Sequence, residues 1–129
     1  MALGKIKADT LEHSTAGSLD TKFVVNGSAK AFSVINLNSG NTIRKSLNLA
    51  SITDIGTGTV ESNFTNAFSD NDYYELDMAD ASVGDFSLGC SGASSYATTV
   101  KARSYNVRRD NGSGVDQPKA GALIHGDLA

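Results

Sequence analysis

From residue 22 onward turn chemistry cuts this chain into short segments, most of which alternate apolar with polar residues. The cuts fall at Asn26-Gly27, Asn38-Ser39-Gly40-Asn41, Gly56-Thr57-Gly58 and Asn111-Gly112-Ser113-Gly114. Asn and Gly accept the positive φ that tight turns demand. Between the cuts, Val60 and Phe64 point the same way, and Phe32 and Val34 share a face, as do Phe86, Leu88 and Cys90. Tyr74, Leu76 and Met78 line one side of their segment, with Tyr73, Glu75 and Asp77 on the other. No segment sustains a period of about 3.6 residues over the length of a helix. Residues 22–25, 30–37, 43–49, 51–54, 60–65, 73–78, 86–90, 98–107 and 120–126 therefore read as strands. About eight or nine short strands, with turns at roughly 8–12 residue intervals, predict an all-β fold, an antiparallel β-sandwich or jelly roll.

The residue types favour the same outcome. Gly, Ser, Thr and Asn supply 49 of the 129 residues, and Leu, Ile, Val and Phe only 29. Ser, Thr and Asn compete for backbone hydrogen bonds and weaken helices. A core this thin is often supplemented by oligomerisation. One domain is expected over residues 22–129. Residues 1–21 differ: Leu3, Ile6, Leu11 and Leu19 are scattered among polar residues without a period. They predict an extended N-terminal arm, disordered or ordered by a neighbouring subunit.

The net charge of −3 argues against binding nucleic acid through its phosphates. Eight acidic residues and no Lys or Arg lie between Ser46 and Val100, whereas residues 101–119 hold five basic residues. Opposite signs in separate segments suit solvated strand faces or surfaces that steer subunits together. Cys90 is the one cysteine, so no internal disulfide forms, and its expected role is small core filler. Met1-Ala2-Leu3-Gly4-Lys5 leads into no apolar run of a signal peptide, and no segment approaches the ~20 apolar residues of a membrane span. Folding in a cytoplasm without membrane insertion is the expectation.

Little in the chain resembles enzyme apparatus. His13 and His125 are 112 positions apart, and no zinc-ligand spacing occurs. Gly56-Thr57-Gly58 lacks the third Gly and the Lys of a phosphate loop. Asp70-Asn71-Asp72, Glu75, Asp77, Asp80 and Asp85 form an acidic cluster, but Tyr74 and Glu75 break the calcium-loop pattern. The cluster reads as a solvated outer face carrying Glu75 and Asp77, or as a cation site. No catalytic residue, metal ligand or cofactor is expected.

Val25-Asn26-Gly27-Ser28-Ala29-Lys30-Ala31-Phe32, Ser51-Ile52-Thr53-Asp54, Gly56-Thr57-Gly58, Asn63-Phe64-Thr65 and Phe68-Ser69-Asp70-Asn71-Asp72-Tyr73 carry a family likeness. This wording resembles a β-rich domain of virion structural proteins of tailed bacteriophages, especially tail-fibre and surface-appendage proteins of marine phages. The likeness covers about residues 22–75 and, weakly, residues 121–129. Phe32 stands where related sequences often carry Trp, and Ile55 where Asn is common. Residues 6–19 look like the linker ahead of such a domain. The resemblance implies a non-enzymatic protein that ends or decorates particle appendages, usually as a homotrimer, exposed on the virion surface. A chain of 129 residues lacks the long shaft of a full fibre. A head-decoration protein, a short fibre or a fibre tip is the expectation, with other capsid or tail proteins as partners. The alternative is a receptor-binding module for host surface glycans.

Tyr96, Arg103, Tyr105, Arg108 and Arg109 are the candidate partner-contact residues. Tyr offers an apolar ring with a polar tip, and Arg a planar charge, both suited to interfaces or sugar stacking. Tyr73 belongs to the same class, and the Phe residues are assigned to the core. Loops 91–96 and 111–114 are the candidate outward end.

Overall fold

The computed structural model describes residues 7–15, 17–80, 87–91, 96–108 and 110–129, with the backbone alone for His13 and for 87–91. Among the described residues the order is β1 (Thr10–His13), β2 (Gly17–Asp20), α1 (Thr21–Gly27), β3 (Ala31–Asn36), β4 (Thr42–Leu47) and β5 (Leu49–Gly56). It continues with β6 (Thr59–Phe64), β7 (Tyr74–Ala79), β8 (Ser87–Ser91), β9 (Lys101–Arg108) and β10 (Ala120–His125). β1 and β2 pair with each other alone. The other eight strands form two four-stranded antiparallel sheets, ordered β4-β3-β10-β7 and β5-β6-β9-β8. The sheets pack together as the all-β sandwich that the turn spacing predicts.

One residue carries the chain from the first sheet to the second. Asn48 adopts φ 54 between β4 and β5, a left-handed conformation that Asn tolerates better than most residues. Its side chain fastens the corner: Oδ1 accepts from Asn66 N at 2.7 Å, and Nδ2 donates to Asn66 O at 3.0 Å. The strand expected over 43–49 is thus split, its last residue opening β5 in the other sheet. The β5–β6 hairpin turns on Gly58, at φ 73. A Cβ there would stand 2.3 Å from Asn106 O, so the turn fits against β9 only without a side chain.

The core joins both sheets. Ala31, Phe64, Phe68, Ala102, Ala122 and Ile124 form one buried cluster; Ile35, Leu37, Val60 and Ala120 form another. Phe68 lies on the crossing between β6 and β7, its ring centroid 4.8 Å from that of Phe64 and 4.9 Å from that of Tyr73. Tyr73 is packed against this core, and its hydroxyl donates to Lys101 O at 2.7 Å. It is partly buried on the core, with its hydroxyl taken up by the backbone of β9. Phe64 and Phe68 are core as expected, but Phe23 is 57% exposed.

Three local expectations are corrected. Residues 22–25 are helix α1, not a strand. Among the described residues no strand pairs with this segment, and a helix lets an unpaired segment satisfy its own backbone groups. Lys30 Nζ donates to Val25 O and Ser28 O near the helix end, where a cation opposes the exposed carbonyls. The arm is not simply extended: Thr10–His13 and Gly17–Asp20 pair as a hairpin, and Thr21 N donates to Asp9 O at 2.8 Å. α1 buries no residue, and the first sandwich strand begins at Ala31. The strand expected from Thr98 starts at Lys101, three residues later. The shared face expected of Phe86, Leu88 and Cys90 lies outside the described side chains, although the backbone of β8 is a strand.

Candidate contact surfaces

β9 brings the second sheet's outer face together. Its inner residues Ala102, Ser104 and Asn106 are buried, so Lys101, Arg103 and Tyr105 point outward. The register sets Arg103 opposite Glu61 and Tyr105 opposite Thr59. Lys101 Nζ lies 3.0 Å from Glu61 Oε1, and Arg103 Nε donates to the same oxygen at 3.1 Å. The two cations cover Glu61, which is 5% exposed. Hydrogen bonds from Arg103 and then Lys101 hold its carboxyl below the ordinary value of 4.5. Arg103 also lies over the Tyr96 ring, 3.9 Å from its centroid. Farther out, Asn63 Nδ2 donates to Ser51 Oγ at 3.2 Å and to Thr53 Oγ1 at 3.0 Å. This outer face is polar and meets many of its own hydrogen-bonding needs.

The structure thus gathers Tyr96, Arg103 and Tyr105 into one patch around Glu61. Arg108 ends β9, half-buried, and Arg109 lies outside the described residues, as do 92–95 of the loop before Tyr96. The separated charges meet inside one chain at this point: the acid of β6 takes up Lys101 and Arg103 of β9. A depressed folded-state pKa gives Glu61 a contribution present at neutral pH and lost as pH falls below 4.5. Glu61→Gln should therefore lower stability at pH 7 by about 1–3 kcal/mol, the worth of charge-assisted hydrogen bonds. Thermal melts should also show the variant losing less than the native protein on acidification.

The first sheet is built the other way. Sequence alternation correctly puts Tyr74, Leu76 and Met78 on one side of β7, but that side faces out: they are 67%, 50% and 57% exposed. Glu75 and Asp77, expected on a solvated face, point into the sandwich. The register aligns Leu47, Phe32, Leu123 and Leu76 across all four strands, and Val34 lies in the next row with Met78. Gly121 stands between Val34 and Met78 without a side chain, leaving a groove lined by Phe32, Val34, Leu76, Met78 and Leu123. These residues form a contiguous apolar surface that the candidate list missed. Phe32 and Val34 do share a face, but the buried side of β3 is Ala31, Ser33 and Ile35.

The inward acids form a pair. Ser104 Oγ donates to Glu75 Oε1 at 3.1 Å, and both carboxyl oxygens of Asp77 are buried beside this pair. Burial, and then the neighbouring Asp77 charge, push Glu75 up to about 8; burial pushes Asp77 up to about 6. Two carboxyls this close and this dry do not both ionise at neutral pH. The rest of the acidic cluster divides: Asp70 and Asp72 are exposed, Asp80 is half-buried, and Asp85 lies outside the described residues. Among the described residues no three His, Cys, Asp or Glu side chains gather where one metal ion would fit, and no helix is long and apolar enough to cross a membrane.

Chemically, the described surfaces offer two things: a polar face with one stacked arginine–tyrosine pair, and an apolar sheet face open to solvent. Comparison of the chain with protein-family models, curated proteins and solved structures finds no match.

Proposed function

We propose that this chain is a non-enzymatic structural protein of a tailed-bacteriophage particle. It is a small surface appendage, a head-decoration protein, short fibre or fibre tip, held by subunit contacts as a homotrimer. The wording of residues 22–75 supports the particle. The open apolar face of β4-β3-β10-β7 carries the assembly half of the reading. Contiguous exposed apolar surface of this kind marks interaction sites in soluble proteins, and a thin core gains from burial between subunits. The glycan-binding alternative rests on Tyr96, which is 40% exposed. Arg103 already lies over that ring, which leaves less of it for a sugar.

Antibodies against the chain, used with gold labelling on particles from a lysate of infected cells, test the location. Label on the particle surface is the expected result. Particles that neither bind the antibody nor contain the chain after purification contradict it.

A further inference from the structure

Among the described residues, β7 ends its sheet and pairs with β10 alone. Its outward residues Tyr74, Leu76 and Met78 are half exposed or more, and its inward residues include Glu75 and Asp77. None of its six residues belongs to the buried core. β3, by contrast, buries Ala31, Ser33 and Ile35. Elements that bury little apolar surface are the ones that open locally, ahead of the whole fold. Both ends of β7 are pinned: the Tyr73 hydroxyl donates to Lys101 O at 2.7 Å, and Asp80 N donates to Lys119 O at 2.8 Å. We infer that β7 is a pH-released strand, which leaves its sheet between these pins when Glu75 and Asp77 are both ionised and returns when the pair takes up a proton.

The groups around the pair set the direction of the switch. Opposite Glu75 and Asp77 on β10 stand Ile124 and Ala122. On β9, Ser104 donates to Glu75 and shares its inner side with Ala102 and Asn106, whereas Lys101, Arg103 and Tyr105 point outward. His125 stands opposite Tyr74, on the outer side. The inner sides of β9 and β10 thus hold no Lys, Arg or His. Tyr73 precedes the strand and Asp80 follows it, and Cys90 is the one titratable residue in the sequence of β8, which packs beside β7. Tyr73, Asp80 and Cys90 can add negative charge and no positive charge. Two carboxylates at successive inward positions repel where water is scarce, and solvent relieves both. Both carboxyls have folded-state pKa values above the ordinary ones. Such groups keep their protons in the closed strand and give them up in the open one, so rising pH favours opening. Tyr74, Leu76 and Met78 move with the strand, and the apolar face is whole only while the pair holds its proton.

Amide hydrogen exchange of the full-length chain at pH 6 and pH 8, read by mass spectrometry, tests the inference. Protection is taken relative to the unstructured rate at each pH, for residues 74–79 of β7 and 31–36 of β3. Opening that releases one proton should lower the protection of 74–79 about tenfold for each pH unit. At pH 8 the β7 amides should be about tenfold or more less protected than those of β3, the mark of local opening. The double variant Glu75→Gln with Asp77→Asn keeps the size of both side chains and removes their charge. Its β7 protection should be the same at both pH values. If its circular dichroism departs from the native spectrum, Glu75→Gln alone takes its place, with the fall reduced rather than abolished. Native β7 amides as protected as those of β3 at pH 8 overturn the inference, because the strand then leaves only with the whole fold. So does a variant whose β7 protection falls with pH as steeply as the native one. Exchange in β7 needs only the sandwich, so its outcome is separate from the labelling of particles.

Discussion

Phe68→Ala should lower the stability of the fold by about 3–5 kcal/mol, the cost of removing a buried phenylalanine ring. Phe68 is 1% exposed and its ring meets those of Phe64, edge to face, and Tyr73. Its backbone anchors the crossing from β6 to β7. Phe68 N donates to Thr99 O at 2.8 Å, Phe68 bridges to Leu128, and Ser69 N donates to Asp127 O at 2.8 Å. The crossing from β6 to β7 thus holds the C-terminal residues as well as the core. Gly126 lets the two meet, since a Cβ there would come within 2.9 Å of the Phe68 ring. A domain of this size is stable by about 5–15 kcal/mol, so the midpoint of thermal unfolding should fall by roughly 10 °C or more. A midpoint within a degree or two of the native value would show that the ring does not carry the core.

Glu75→Gln should raise stability at alkaline pH. A carboxyl whose folded-state pKa lies above its unfolded value binds its proton more tightly in the fold. Its contribution is full below the unfolded pKa and is lost as pH rises through the folded one. For Glu75 that window runs from 4.5 to about 8, and for Asp77 from 3.8 to about 6. Each pH unit of displacement is about 1.4 kcal/mol, so ionising Glu75 inside the sandwich costs on the order of 3–5 kcal/mol by pH 8. Glutamine keeps an acceptor for Ser104 and carries no charge at any pH. The native protein should lose stability steadily from pH 5 to 8, and the variant should lose much less. The opposing loss from Glu61 lies below that window. Parallel curves for variant and native protein between pH 5 and 8 would mean that Glu75 titrates like a solvated side chain.

The strands were legible because alternation and turn residues act locally. Val60 and Phe64 in β6, the Gly58 turn and the closing strand at Ala120 follow from that. The direction of each face was not. Alternation has a period of two and looks the same with either side inward. Burial of Glu75 and Asp77 depends on the opposing strand β9, whose inner residues Ala102, Ser104 and Asn106 are small or polar. Those residues are visible in the sequence, but the pairing that sets them there is not. Tyr96, Arg103 and Tyr105 stand out in the sequence by residue type alone, and only the structure sets them side by side. The Arg103 partner Glu61 was hidden by 42 positions of separation that only the β6–β9 register closes. Asn48 breaks a run that reads as one strand, because a single left-handed residue leaves no pattern beyond its own identity. The seven residues of α1 are too few to display a helical period.

Sedimentation equilibrium of the purified full-length chain at micromolar concentration tests the assembly claim most directly. A mass three times the 13.4 kDa of one chain is the predicted result, reduced to a single chain by Leu76→Asp with Met78→Asp. A native protein that sediments as a 13.4 kDa monomer, with its apolar sheet face left to solvent, would contradict the account.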